Sequence, residues 1–588
     1  MRWSLTELYP SFDSEEFQGD LTKLKKAIDE FNSWCDEKLN IPEDARIRLE
    51  EYIKYSQDIT SLLTKLITFA SLTSSVDAND EEALKYLDQL SVLGSKLTKP
   101  QVALQKFIKR LDDLNELIPT SKLLYEHEFY LKEIKKNSKY MLSEEEEVLI
   151  AKLRNTGSRA WANLQNKLVS NLLVDVEIDG EKKSLPLPVV RNMAYHKDQG
   201  VRKAAYEAEL KSYEKIEDSS AAALNGIKGE VLTVTELRGY SPLEEVLIQS
   251  RMDKKALDAM FTAIKEYLPV FHKYYRQKAR ILGHREGLPF YDLFAPVGDV
   301  DIKFTYEEAQ DFIVDNFRTF SVKLADFAQT AFDNNWLDVE PRKGKSGGAF
   351  CSNIHPIGES RIMANFEGSF SNVITLAHEL GHAYHGSTLM DESILNSRYP
   401  MPIAETASIF CETIVVNAQL EKSTDQEKLS ILESSISDAG QVIVDIYSRY
   451  LFESRLFEIR RDHSLSVDEL KNLMLEAQKE AYGDGLDHEY LHPYMWINKS
   501  HYYSAGRNFY NFPYAFGLLF AKGIYAEYLK RGKDFVAEYD RLLNATGKKN
   551  IKDVAAMVGI DVNDPDFFRQ SLSLIEKDIE DFIKLSVK

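Results

Sequence analysis

Apolar residues recur at helical intervals along most of this chain. In "KKALDAMFTAIKEYL", which begins at Lys254, they put Leu257, Phe261, Ile264 and Leu268 on one stripe. That spacing marks a helix with one buried face. Asp253 is placed to cap it, and Pro269 to kink or break it. In "SEEEEVLIAKLRNTGSRAWANLQNKLVSNLL", Ser143 and Glu146 form a capping box that opens one long helix. The glutamates that follow Ser143 suit the positive end of the helix dipole. Period-two alternation is rare. "VDVEIDGEKKSLPLPVV" alternates around Asp179-Gly180, a two-residue hairpin signal, with Pro186 and Pro188 marking an edge or exit. A second strand pair is expected in "GGAFCSNI" and "RIMANF", joined by "HPIGES". The fold class is therefore mainly α, with a small β element just ahead of a histidine cluster.

Length changes this picture. At roughly 100–200 residues per domain, 588 residues divide into several lobes. The softest break falls after the hairpin. It gives an N-terminal helical lobe over 1–195 and a larger lobe carrying the chemistry over 196–588. A formal charge of −20 repels phosphate backbones and argues against nucleic acid as a partner. Three cysteines, Cys35, Cys351 and Cys411, cannot all pair and include no CxxC. A reducing compartment, the cytoplasm, is expected. The N-terminal stretch shows no secretion signal, and no run of 18 apolar residues predicts a membrane span. Gly344-Lys345-Ser346 mimics the end of a phosphate loop, but Val339 stands where its first glycine belongs, so nucleotide binding is rejected.

The chemistry gathers in "TLAHELGHAYHG", Thr375 to Gly386. His378 and His382 are four apart. On a helix this stacks both imidazoles on one face, with β-carbons about 5–6 Å apart. Glu379 stands beside the pair. Two imidazoles with an adjacent glutamate form the HExxH arrangement: metal ligands plus a general base. His385, three after His382, is a rival ligand out of phase with the pair, and is read as packing or as a group behind the ligands. A hydrolytic zinc needs a third protein ligand and one open position. "YPMPIAETASIFCETIV" offers Glu405 and Glu412, seven apart on one helical face, with Pro402 in the first turn. By spacing, either glutamate could be the ligand and the other a hydrogen-bond acceptor behind a histidine. Asp391 and Glu392, between the two segments, read as solvated loop charges.

These segments resemble a known family. "MANFEGSFSNVITLAHELGHAYH", "PIAETASIFCE" and "HYYSAGRNFYNFPYAFG" look like the oligoendopeptidase F group of the thimet-oligopeptidase-like M3 family of zinc metallopeptidases. "RWSLTELYPSF" and "WLDVEPRKGKSGGAFC" are similar to the same group. The resemblance implies a two-lobed helical fold flanking a deep channel, one zinc ion on its floor, and endopeptidase cleavage of short, unfolded peptides. It puts the third ligand at Glu405 and leaves Glu412 behind a histidine. It also implies that His501 and Tyr510 serve the oxyanion and substrate, with Tyr514 and Tyr503 as further substrate contacts. The family's tyrosine spacing is interrupted here by Phe509, Phe512 and Pro513. "GGAFCSN" is the expected sheet edge for peptide pairing, with Gly348 and Ala349 leaving room for side chains. Two rival functions are a metallocarboxypeptidase, for which Arg507 would grip a terminal carboxylate, and a non-catalytic, zinc-stabilised peptide-binding protein.

Overall fold

The computed structural model describes residues 1–40, 43–178, 180–298 and 302–587. Helices dominate, as the apolar spacing predicts. The Lys254–Ile281 helix buries Leu257, Phe261, Ile264 and Leu268 on its inner face. It does not end at Pro269. The ring removes one helical hydrogen bond and crowds the preceding turn, at a cost of about 3 kcal/mol or more, but Phe271, Tyr274 and Tyr275 are buried beyond it, and their burial outweighs the loss. Asp253 occupies the N-cap position without a side-chain capping bond.

The capping box at Ser143 and Glu146 forms as predicted, but the long helix does not. It divides at Gly157 into Glu144–Thr156 and Ser158–Ser170. Glu230 intervenes there: its carboxylate accepts from the Ser158 amide at 2.7 Å and from Ser158 Oγ at 2.8 Å. A β-carbon at Gly157 would stand 2.6 Å from that carboxylate. A partner 72 residues away along the chain thus starts a second helix where local propensity would have continued the first.

Strands β1 (Leu173–Ile178) and β2 (Glu181–Pro186) form the expected antiparallel hairpin. Gly180 has φ of 80°; Asp179 lies outside the described residues. The second sheet has one strand more than expected. A short strand β3 (Leu337–Asp338) lies parallel to β5 (Glu359–Met363), and β5 pairs antiparallel with β4 (Phe350–Ile354). The order β3-β5-β4 leaves β4 at the edge. Lys345 of the rejected phosphate-loop mimic is buried in this region, bonding Asp338 and the carbonyl of Ala364.

Apolar side chains gather in three clusters. One runs from Leu8 to Leu131 and reaches Ile354 on β4. A second joins residues around β1 to the 452–503 stretch. The largest holds the helices of the histidine cluster and the C-terminal helices. The Ala45–Val76 helix is long and apolar enough, by length and composition, to cross a membrane, which the sequence reading did not expect. Here it buries Leu49, Tyr52, Ile53, Leu66, Phe69 and Leu72 in the first cluster.

Candidate metal centre and its cavity

The helix carrying the histidines spans Phe370–Ser387 and starts at a capping box between Ser369 and Asn372. Val373, Leu376, Ala377, Leu380 and Ala383 bury one side of it, leaving His378 and His382 together on another. It packs on the Thr406–Lys422 helix. Gly381 permits that approach: a β-carbon there would lie 2.6 Å from the carbonyl oxygen of Ala407 and from Cα of Ser408. Glu405 is not inside the second helix, as its spacing from Glu412 suggested. It sits at the N-cap position, after a short 3₁₀ turn over Met401–Ile403 that contains Pro402.

Both glutamates converge on His378, from opposite ends of the ring. Glu405 Oε2 lies 3.3 Å from Nε2 of His378 and 3.3 Å from Nε2 of His382. The two Nε2 atoms are 3.1 Å apart. Glu412 Oε1 accepts from Nδ1 of His378 at 2.7 Å. Two nitrogens and one oxygen therefore form a near-equilateral triangle, and His378, His382 and Glu405 are the group of the described residues able to hold a metal ion. A tetrahedral ion with bonds of about 2.0–2.1 Å keeps its donors roughly 3.3 Å apart, so spacing and donor types both fit zinc. These side chains keep 20–24% of their surface exposed, so the triangle opens toward solvent. Burial disfavours charge on His378, but hydrogen bonds and charge from Glu405 and Glu412 override it and hold its pKa up at about 10. Burial likewise pushes Glu405 up, and its hydrogen bonds to both imidazoles win, keeping it well below the usual carboxylate range.

Glu379 is buried at 6% exposure. Loss of hydration raises its pKa against the opposing pull of His378 and His382. Cys351 on β4 is near enough for the Glu379 charge to add to burial in pushing the thiol up. The edge strand thus runs beside the glutamate, and Asn353 Nδ2 donates to the His382 carbonyl at 3.2 Å. Gly348, with φ of 78°, and Ala349 lead into this strand.

A cavity of about 720 Å³ adjoins the cluster, lined by His378, Glu405, Glu412 and Tyr514, with Asp438 and Lys522 among the charged groups. Gln441 and Val442 of a π-helical turn, Gln441–Asp445, also face it; such turns recur at functional sites. Of the C-terminal aromatic residues, Tyr514 reaches the cavity, and its hydroxyl donates to Tyr510 at 3.1 Å. Tyr510 stacks at 5.7 Å on His501. Burial, helped by the charges of Arg449, Lys228, Lys499 and Arg507, lowers the His501 pKa to about 3, so this imidazole is neutral. Tyr503 is not brought to the site: it is 2% exposed, packed with Tyr213 and Trp496 in the second apolar cluster. Arg507 lies over the Tyr510 ring at 5.6 Å.

His385 is fully buried, stacked on Tyr399 at 4.0 Å with Nε2 2.9 Å from Thr546 Oγ1. Its packing role follows from its helical phase. Glu392 is less free than expected and pairs with Lys548. The sequence reading missed Ser408, whose hydroxyl donates to Glu405 Oε2 at 2.7 Å. It lies one turn after Glu405, and that spacing was its available signal. It also missed Asn353, whose partner is a backbone carbonyl and leaves no sequence signal.

The helical architecture and the His-His-Glu triangle beside a cavity define a metallopeptidase-like protein. A sequence model of peptidase family M3 matches residues 192–574, and one described as oligopeptidase F matches 111–172. Oligopeptidase PepF of Bacillus subtilis is 25% identical, with all of this chain and 87% of the relative aligned. The plasmid oligoendopeptidase F of Lactococcus lactis subsp. cremoris is 24% identical over all of this chain and 98% of its own length. A peptidase crystal structure from Chlamydophila abortus superposes with a TM-score of 0.85 at 21% identity, covering 99% of this chain and 98% of that one. Oligoendopeptidase-F of Enterococcus faecium gives 0.71 at 18% identity, covering 97% and 99%. The chain belongs to peptidase family M3. It is a peptide-bond hydrolase of the metallo-endopeptidase class.

Proposed function

We propose that this protein is a zinc-dependent oligoendopeptidase that cuts internal bonds of short, unstructured peptides. One observation carries the reading: His378, His382 and Glu405 form a tetrahedral-spaced donor triangle beside a cavity that His378 and Glu405 line, and Glu379 follows His378 on the same helix. His378, His382 and Glu405 would hold the ion, with Glu412 orienting His378 from behind. The chemistry such an ion supplies when bound is Lewis acidity, which acidifies a water to a pKa of about 7 and polarises a carbonyl. Glu379 accepts the proton of the attacking water and returns it to the leaving amine; the raised pKa that burial gives it suits both steps. Tyr510 and neutral His501 offer hydrogen-bond donors to the developing oxyanion, with Tyr514 binding substrate in the cavity.

The β4 edge, entered through Gly348 and Ala349, pairs with an extended peptide main chain. Main-chain pairing reads shape more than side chains, so broad specificity follows. Residues 1–195 and 196–588 are proposed as the two lobes. Three unpaired cysteines suit a reducing compartment, the cytoplasm.

Mass spectrometry of products from a mixed peptide pool, with and without a chelator, tests this reading. Internal cleavage that stops on chelation and returns with zinc is expected. Trimming of free C-termini alone, or full activity after exhaustive chelation, would contradict it.

A further inference from the structure

Lys228, Glu453 and the Asn508-Phe509 turn come from three distant stretches of chain and meet in the interior. Lys228 is fully buried, and Glu453 and Asn508 are each 2% exposed. Lys228 Nζ donates to Glu453 Oε1 at 2.7 Å and to Asn508 Oδ1 at 2.9 Å. The second oxygen of Glu453 accepts from the Phe509 amide at 2.8 Å. Asn508 Nδ2 donates to the Ala505 carbonyl at 3.0 Å, so the turn is tied at both ends.

Phe509 has φ of 47°, the left-handed region that a bulky side chain rarely adopts. Such a conformation persists only where its surroundings over-determine it. Two contacts do so here: the Glu453 carboxylate on its N–H, and Tyr450 and Phe457 against its ring at 5.5 and 5.6 Å. The next residue is Tyr510, which meets Tyr514 beside the donor triangle. The backbone angle at Phe509 therefore sets the direction in which Tyr510 leaves.

A buried ion pair is a poor source of net stability, because desolvation offsets most of its attraction. Placement of a loop accounts for it better. We propose that Glu453 is a positioning residue for peptide hydrolysis, with Lys228 as the cation that lets its carboxylate stay charged in the interior. The Glu453 oxygen pins the Phe509 amide and so aims Tyr510 at Tyr514, while Lys228 balances the Glu453 charge. This inference rests on the peptidase reading above, and it makes the acceptor oxygen, not the charge, the working part.

Two double variants separate placement from stability. K228M/E453Q removes both charges and keeps an amide oxygen for the Phe509 N–H. K228M/E453L removes both charges and the acceptor. On an internally quenched peptide, K228M/E453Q should keep kcat within about threefold of the parent, whereas K228M/E453L should lose about 30-fold or more with KM little changed. Adding Y510F to K228M/E453L should lower kcat by less than the product of the separate losses, because both changes act through one ring. Equal kcat in the two double variants, or fully multiplicative losses, would overturn the proposal. Hydrogen exchange of the 504–511 amides tests placement without any activity. Protection should persist in K228M/E453Q and exchange should quicken about tenfold or more in K228M/E453L; equal exchange in both overturns the proposal. A parent protein that cleaves no peptide overturns the peptidase reading instead and leaves this arm standing. If K228M/E453L does not fold, K228M/E453Q decides alone: kcat within about threefold supports the placement, and a greater loss in the folded protein contradicts it.

Discussion

Glu412 and His378 share a 2.7 Å hydrogen bond at Nδ1, while Nε2 of the same ring points to Glu405 and His382. The carboxylate holds the Nδ1 proton and the ring's rotation, so that Nε2 is the nitrogen that would face an ion once its own proton is displaced. Replacing Glu412 with Gln should weaken metal affinity by about 10–100-fold, measured by competition with a chelator of known affinity. An unchanged affinity would remove Glu412 from the centre.

Gly381 sets the distance between the two halves of that centre. A methyl group there would meet main-chain atoms of Ala407 and Ser408 at 2.6 Å, and neither can swing aside as a flexible side chain would. Gly381→Ala should destabilise the fold by roughly 1–3 kcal/mol, the usual range for overpacking, read as a lower urea midpoint. It should also weaken metal binding, because Glu405 rides on the displaced segment. A midpoint equal to the parent's would contradict the close approach.

His501 gives the fold a defined response to acid. Unfolded, an imidazole binds its proton near pH 6.5; in the fold, burial and the cations Arg449, Lys228, Lys499 and Arg507 lower this to about 3. Between those values the unfolded chain holds more protons. Its contribution to stability is therefore complete above about pH 6.5 and shrinks as pH falls toward 3. From pH 7 to pH 5 the parent should lose more unfolding free energy than H501Q, which has no such titration. Equal losses in denaturant titrations would count against a neutral His501.

Much of this site could be read from the sequence, because its main parts are set by helical spacing. His378, Glu379 and His382 fall where a four-residue interval puts them, and His385 is excluded by phase. The order of Glu405 and Glu412 was not set by spacing, since both reach His378 and only their ends of the ring differ. What escaped depends on partners far along the chain. Glu230 ends a helix 72 residues before itself, and the strand Leu337–Asp338 is too short for any period to register. Tyr503 and Tyr514 look alike in an aromatic segment. Tyr503 faces the second apolar cluster and Tyr514 the cavity, and a turn held at Phe509 by Glu453 lies between them.

The central claim is that Glu379 moves the proton beside an ion held by His378, His382 and Glu405. Turnover of an internally quenched peptide by Glu379→Gln, with bound zinc counted in the same sample, tests it most directly. We predict one ion per chain and a loss of at least about 100-fold in kcat. Undiminished turnover by the zinc-loaded variant would contradict the account.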